Sequence, residues 1–523
     1  MTHKQRSRFT PFLIDYAHLF LIAAASGLIH LIPIFVFPEY GYFRDEFYYI
    51  ACAKRLAFGY VDHPPFAPFL LRAVLLTFGD SLLAIRLLPS LSGAITVFLT
   101  GYIALQLGAG RFAQSTAALA MALSPIFLGM NGFFSMNPFE TLFWAACVSV
   151  VIRLIQQDNP KLWLLVGGLV GLGLLNKHTF VVYTMSGVIG LLLTPARKHL
   201  AQKWFWLGMV VAGVILLPNI IWQFQNQLVS LGFYRDANAS KNIDVPPLRI
   251  LFNQIMFMNP LSFPFWLTGV FYFLFTRGGK PYRLFGWAYL VLLAVLLWTR
   301  SSRPDRILAA YPMLFAAGGL VIGQYIQRFQ VRRIIQATIL VLLIVLGSSM
   351  VPIGVPLLPP SHAVGYFKRL GVSTQIEKGV NLSLPQWYAD RFGWEEMAAN
   401  VARVYQGLPE EEKPNTAVFA ANYGEAGAIE FYSSQYPIPR VFSSHNNYHL
   451  WGPPGENIRT FIVIGVRHES LSSVFEDIRQ AGVQTCIYCR ENNLPIYVCR
   501  RARVPIKDLW PEMNRYGAWQ RSL

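Results

Sequence analysis

Long apolar runs separated by short polar connections fill the first two thirds of the chain. They recur at about 13–37, 82–105, 113–130, 138–156, 162–175, 178–194, 204–222, 261–276, 284–298, 308–326 and 333–352. The pattern predicts about eleven membrane spans, because roughly 20 apolar residues in helical form cover the hydrocarbon core of a bilayer. The two runs that meet near Asn176 are short and also suit a re-entrant hairpin. The first run follows Lys4, Arg6 and Arg8 as a signal peptide would, yet it continues past Ala23-Ala24-Ala25 to Phe37 and so reads as a retained anchor. After the proline-rich hinge Pro352–Pro360 the pattern changes. Charge rises, and strands expected at Thr416–Ala421, Phe461–Val466 and Ile496–Arg500 alternate with helices expected at Trp394–Tyr405 and Ser470–Ala481. The expected architecture is a polytopic α-helical membrane domain over residues 1–355 and a C-terminal extracytoplasmic α/β domain over 361–523.

Composition narrows this further. Of the 523 residues, 54% are hydrophobic and only 14% charged, too few charges for a soluble chain of this length. With the N-terminus inside, the cationic connections at Lys4, Arg6, Arg8, Arg111, Lys161, Arg197, Lys198, Lys203, Arg277, Lys280, Arg283, Arg328, Arg332 and Arg333 all fall on the inner side. An odd number of spans then carries the C-terminal domain outside. The net charge of +17 suits anchoring against anionic membrane lipid, and no feature points to nucleic acid. Among five cysteines, Cys147 lies in a span and Cys52 in the first outer loop, while Cys486, Cys489 and Cys499 fall in the outer domain. One disulfide is expected among those three; zinc or redox chemistry at Cys486-Ile487-Tyr488-Cys489 lacks a second pair or a thioredoxin-like setting.

This topology gathers the unusual residues on the outer face. Asp45 and Glu46 stand among aromatics in Tyr42–Tyr49, directly after the first run, followed by Asp62-His63-Pro64-Pro65, Asn131–Glu140, Asn176-Lys177-His178, Tyr234-Arg235-Asp236 and Arg303-Pro304-Asp305-Arg306. A carboxylate at a membrane boundary loses hydration, which suits a base, a ligand or an ion site. As a set, the cations on this face fit a bound anion such as a lipid phosphate, although any one arginine is better read as pairing with a neighbour or a lipid headgroup. The 38–80 loop, with Phe47, Ile50, Leu56 and Phe58 near helical spacing, is expected to lie along the membrane as an amphipathic helix, stopped by Pro64-Pro65. His63 reads equally as a loop residue and as a functional one. Asp45, Glu46 and Asp62 are oxygen ligands that Mg²⁺ or Mn²⁺ accepts, but no spacing singles out a metal, so no cofactor is assigned. No glycine-rich loop opens a helix after a strand, which argues against a nucleotide sugar. Gly167, Gly168, Gly171 and Gly173 read as close helix packing. In Ser443–Pro454, Asn446, Tyr448, His449 and Trp451 mix rings and amides as sugar-contacting loops do, or form an ordered surface loop.

The Asp-Glu pair after the first span, the His-Pro-Pro element, Asn137-Pro138 opening a later span and Lys177 at a hairpin together resemble the GT-C membrane glycosyltransferases. More narrowly, the chain is similar to glycosyltransferase family 39, which includes the protein O-mannosyltransferases and the aminoarabinose transferase of lipid A. The likeness runs over about Tyr42–Phe315, with Pro218–Gln223 and Asn259-Pro260-Leu261 resembling a bacterial branch. The resemblance implies transfer of a sugar from a polyprenyl phosphate to lipid A, another glycan or a protein, outside the inner membrane of a bacterial cell. It implies that Asp45 is the acceptor-side base, that His63 stands where the aminoarabinose transferases carry a lysine near the donor phosphate, and that Lys177 is a second basic position. Asn137 departs from the aspartate of several relatives, and Glu140 lies about one helical turn beyond it.

The chemistry supports the same roles. A carboxylate activates the acceptor hydroxyl. The departing phosphate needs only positive charge, offered by Lys177, His63, Arg303 or Arg306. In-line attack predicts inversion at the anomeric carbon. Asp45 and Glu46 leave a helix on different sides, so Asp45 is assigned the base and Glu46 a supporting hydrogen bond; Asp62, Asn137 and Glu140 make a second polar site. A lipid-linked sugar transporter or flippase is the rival reading, though it should show paired halves and ionisable groups at mid-membrane. An inactive scaffold is the third, kept open by Asn137.

Overall fold

The computed structural model describes residues 15–240, 243–374 and 382–516; Lys4, Arg6 and Arg8 lie outside the described residues. The chain divides into two compact units interleaved in sequence. One comprises Met1–Phe37, Leu83–Pro218 and Asp244–Leu358, the other Pro38–Leu82, Asn219–Ile243 and Pro359–Leu523.

The first unit is helical, as lipid demands of a chain that must satisfy its own backbone hydrogen bonds. Over its described residues, each of the eleven apolar windows falls mainly on helix, but the helices differ in length. Six helices among the described residues are long and apolar enough to cross a bilayer, Leu82–Gln106, Asn137–Gln157, Lys203–Gln225, Lys280–Trp298, Pro304–Ile326 and Arg332–Gly354. Two bent pairs, Arg111–Ala122 with Pro125–Asn131 (63°) and Phe180–Leu192 with Pro195–Ala201 (109°), raise the number to eight. Ala17–Ile29, Leu162–Asn176 and Pro260–Phe275 are apolar but shorter. Glycines let neighbouring helices approach closely: a Cβ on Gly167 would strike the Gly208 backbone, on Gly269 that of Leu314, and on Gly318 that of Phe265. Gly171 packs on Ala212 and Ile215, Gly173 packs on Phe180, and nothing lies within 4 Å of a Cβ on Gly168.

The second unit holds a five-stranded sheet in the order β2-β1-β3-β5-β4, with β1 at Thr416–Ala420, β2 at Val441–Phe442, β3 at Thr460–Ile464, β4 at Phe475–Gln484 and β5 at Leu494–Ala502. β1 runs parallel to β2 and β3, with Val418 opposite Ile462; β5 runs antiparallel to β3 and β4, with Cys499 opposite Phe461. β1 and β3 are buried at every position, and apolar after their first threonine, because both faces are covered. Val418, Ala420, Ile462 and Ile464 pack with the Trp394–Gln406 and Tyr423–Tyr432 helices and with Phe47 and Tyr48. Phe419, Phe442, Phe461 and Val463 pack on the other face with Leu471 and Trp510.

Three expectations are corrected here. Ser470–Ala481 is not a helix. A short helix, His468–Ser472, gives way to β4, because the free edge of β5 pairs with it and that ladder overrides local propensity. The 38–80 loop is not one amphipathic helix on a surface. It forms a helix at Arg44–Lys54 and another at Phe66–Thr77; Phe47 and Ile50 are buried, and only Leu56 and Phe58 stay exposed. The Tyr423–Tyr432 helix covers the first of these helices, with Gly424 against the Arg44 side chain and Gly427 against Phe47. The disulfide expected among Cys486, Cys489 and Cys499 is not formed. Cys499, on β5, is buried in the core, while Cys486 and Cys489 lie together behind Gly393.

Candidate functional site

The candidate residues form two clusters, one in each unit. In the second unit the chain arrives at Phe43 in extended conformation and turns into the Arg44–Lys54 helix. Glu46 reaches back to accept the Phe43 N–H at 2.7 Å and is fully buried. It therefore caps the helix rather than facing a substrate. Asp45, one position earlier, points elsewhere. Its Oδ1 accepts from Arg44 Nε at 3.1 Å and from the Tyr423 hydroxyl at 2.8 Å. Its side chain is 30% exposed. Arg44 is itself buried and also pairs with the fully buried Asp390 at 2.9 Å. Burial, reinforced by Asp45 and opposed by Arg44, pushes the Tyr423 phenol far above its ordinary pKa, so it stays a donor. One carboxylate oxygen of Asp45 is thus fixed by two donors, and Oδ2 carries no hydrogen bond from a described residue.

Asp62 has both oxygens occupied, Oδ1 by the Tyr48 hydroxyl at 2.9 Å and Oδ2 by Asn446 Nδ2 at 3.1 Å. His63 is buried, stacked on Tyr49 at 4.7 Å, with Nδ1 donating to the Pro64 carbonyl at 3.0 Å and Nε2 4.0 Å from Asp62. Its ring is a packed core element in this arrangement. The Asn446–Trp451 loop is likewise drawn inward. Asn447 accepts the Val61 N–H at 2.7 Å, and Tyr448 donates to Glu430 at 2.7 Å. His449 stacks on Trp510 at 5.2 Å, with Nε2 2.8 Å from the Trp510 carbonyl and Nδ1 3.2 Å from the Tyr516 hydroxyl. Burial lowers its pKa to about 4, so it is neutral at physiological pH. Asn446 and Tyr448 are buried and His449 is half-buried. Trp451 is half-buried and lines a cleft together with one edge of Tyr448.

In the first unit, Asn137 and Glu140 occupy the first turn of the Asn137–Gln157 helix, where the helix dipole favours an acid. Lys177, in the extended residue that breaks the chain after Leu162–Asn176, donates to Asn137 Oδ1 at 2.9 Å and to Glu140 Oε2 at 2.7 Å. Asn176 Nδ2 holds the Met136 carbonyl at 2.8 Å and so ties this break to that helix start. Glu140 is 5% exposed and Lys177 13%. Arg303 grips Asp305 with two bonds, at 2.9 and 3.2 Å. Arg306 is half-buried, and its carbonyl accepts the Tyr183 hydroxyl at 2.8 Å. Among the described residues, no three His, Cys, Asp or Glu side chains converge as a metal site would require.

Sequence reasoning missed Tyr423, Asp390 and Glu430, which lie hundreds of residues from the helix they serve. Arg44 lies within the Tyr42–Tyr49 segment, and its position beside Asp45 is the sequence signal for its role.

A sequence profile of the dolichyl-phosphate-mannose-protein mannosyltransferase family matches residues 62–222. That segment contains Asp62, His63, Asn137, Glu140 and Lys177 and begins after Asp45. The lipid A galacturonosyltransferase RgtD of Rhizobium johnstonii is 24% identical over 299 residues, 55% of this chain; the aligned part spans 61% of that relative's length. The structure of ArnT from Cupriavidus metallidurans, bound to undecaprenyl phosphate, superposes with a TM-score of 0.58 at 12% identity, covering 92% of this chain and 98% of ArnT. The chain has the GT-C fold. The archaeal oligosaccharyltransferase AglB of Archaeoglobus fulgidus, in complex with an inhibitory peptide and a dolichol phosphate, superposes at 0.54 with 11% identity over 87% of this chain and 70% of AglB. With the GT-C fold and, among the described residues, six to eight helices long and apolar enough to span, the chain is a multi-pass membrane protein.

Proposed function

We propose that this GT-C protein is an inverting glycosyltransferase that moves a sugar from a polyprenyl-phosphate donor to an acceptor hydroxyl at the outer face of a bacterial inner membrane. The observation that carries the reading is Asp45, a partly exposed carboxylate with one oxygen fixed by Tyr423 and Arg44 and the other uncommitted. Such a group accepts the proton of an acceptor hydroxyl as that oxygen attacks the anomeric carbon. The bond from carbon to phosphate oxygen breaks, and its electron pair leaves with the polyprenyl phosphate. Lys177, Arg303 and Arg306, all in the first unit, supply positive charge for that leaving group. Glu46 shapes the helix that presents Asp45, and Asp62 and His63 hold the loop behind it. The similarity to a lipid A galacturonosyltransferase and to structures holding polyprenyl phosphates supports the donor class.

The test is transfer by the purified full chain, in lipid nanodiscs, from a panel of labelled polyprenyl-phosphate sugars to a membrane extract. Wild-type transfer with the anomeric centre inverted, lost in Asp45→Asn, is the expected result. Movement of intact lipid-linked sugar across vesicles without transfer from any donor would replace this reading with transport.

A further inference from the structure

On the second unit, away from Asp45, the structure has an open cleft of about 230 Å³ between the C-terminal end of the Tyr423–Tyr432 helix, β2 and the turn after Trp451. Its walls are unusual. Arg55 and Glu430 pair across it at 2.5 and 3.3 Å, and Tyr448 adds a third bond to the same carboxylate at 2.7 Å. The Arg55 guanidinium lies 4.5 Å from the centre of the Trp451 ring, while Tyr448 meets that ring edge-on at 4.7 Å. The acid and its two donors are therefore fixed before any ligand arrives, which keeps the ordering cost of binding low.

Two groups are left over. Trp451 is half-buried, and its indole N–H has no hydrogen-bond partner among the described residues. Arg440 is exposed at the rim, and its guanidinium has neither a hydrogen bond nor an ion pair among them. With Arg55 neutralised by Glu430, Arg440 is a net uncompensated positive charge at the cleft. A ring with apolar C–H faces suits an aromatic wall, hydroxyls suit a fixed pair of charged donors and acceptors, and a free guanidinium suits an oxyanion that it can grip with two parallel bonds.

We propose that this cleft is a subsite for a saccharide bearing an acidic group, with Arg440 on the carboxylate or phosphate, Trp451 against the sugar ring, and the Arg55–Glu430 pair on its hydroxyls. Under the transferase reading, on which this role rests, the subsite holds part of the acceptor beyond the hydroxyl that reacts. It thereby selects acidic glycans over neutral ones.

Binding is measured on the full chain in detergent with three probes: an oligogalacturonate, a neutral galactose oligomer of the same length, and glucosamine 1-phosphate. The expected result is binding of one or both acidic probes and none of the neutral one, weakened at least about tenfold in Arg440→Gln, the loss typical of a hydrogen bond to a charged group. The carboxylate and phosphate probes separate the two sources of the oxyanion. Arg479→Gln, which removes an exposed arginine from β4, changes net charge equally and is expected to bind as wild type, so a loss there too would overturn the subsite in favour of diffuse charge. Trp451→Ala checks the ring contact, with thermal melting reporting whether it folds. Equal binding of acidic and neutral probes, or full affinity in Arg440→Gln, overturns the proposal whatever the enzyme's activity. Arg440-dependent binding without transfer from any donor leaves the subsite standing and removes the transferase reading instead.

Discussion

The acid at the start of the Arg44–Lys54 helix and the acid at the start of the Asn137–Gln157 helix are held in opposite ways. Beside Asp45 the cation is the buried partner: Arg44 is 5% exposed and committed to Asp390 as well, while Asp45 keeps 30% of its surface. Beside Glu140 the acid is the buried partner at 5%, and Lys177 is the more exposed at 13%. The same pairing of opposite charges therefore presents negative charge in one unit and positive charge in the other. Under the proposed transferase reading, the first presents a group suited to accepting a proton and the second a group suited to a phosphate.

The largest expected effect comes from removing the presented charge. Asp45→Asn should lower transfer by about 10²–10⁴-fold, the worth of a general base, with an unchanged melting temperature; a loss below tenfold would move the base elsewhere. The buried partner should behave differently. Asp390→Asn leaves Arg44 in the interior without its second carboxylate and should cost about 3–5 kcal/mol of stability, visible as a lowered unfolding midpoint in denaturant even where residual activity survives. In the other cluster Lys177→Met should lower transfer about 10²–10³-fold, the scale of one lost electrostatic contact to a charged transition state. Lys177→Arg should restore part of it; equal rates in the two variants would break the assignment of positive charge to this side.

Smaller changes sharpen the comparison. Tyr423→Phe removes one donor from Asp45 while Arg44 remains, and should reduce turnover by an amount near 1.5–3 kcal/mol for a hydrogen bond to a charged group, read as a fall in kcat with the fold intact. His449 should matter for stability alone. Its folded pKa of about 4 lies below the ordinary 6.5, so between those values the unfolded chain binds a proton that the folded chain refuses, and stability falls as the pH drops from 6.5 towards 4. Thermal melts at pH 7 and 4.5 should show that drop in the wild type and a shallower one in His449→Gln.

Much of this was legible along the chain, and the reason is local. Apolar run length fixes where helices form, since in a bilayer each helix closes its own hydrogen bonds; over the described residues, all eleven windows fall mainly on helix. Strands rich in Val, Ile and Phe at Thr416–Ala420 and Thr460–Ile464 announce themselves in the same way. Asp45 and Lys177 stood out because charge beside apolar runs is costly. What the tertiary structure decided is which charge is spent and which is presented. Asp45 and Glu46 are adjacent carboxylates of equal chemical promise, and only the cap at Phe43 and the arrival of Tyr423, 378 residues away, separate a helix cap from a candidate base. His63 and Asp62 were candidates by type, but packing against Tyr49 and hydrogen bonds from Tyr48 and Asn446 fix them in the loop behind Asp45. Likewise β4 is a strand because β5 offers it an edge. The division follows from range: burial propensity and helix formation depend on neighbours a few residues away, whereas the state of a side-chain charge depends on partners the fold brings from far along the chain.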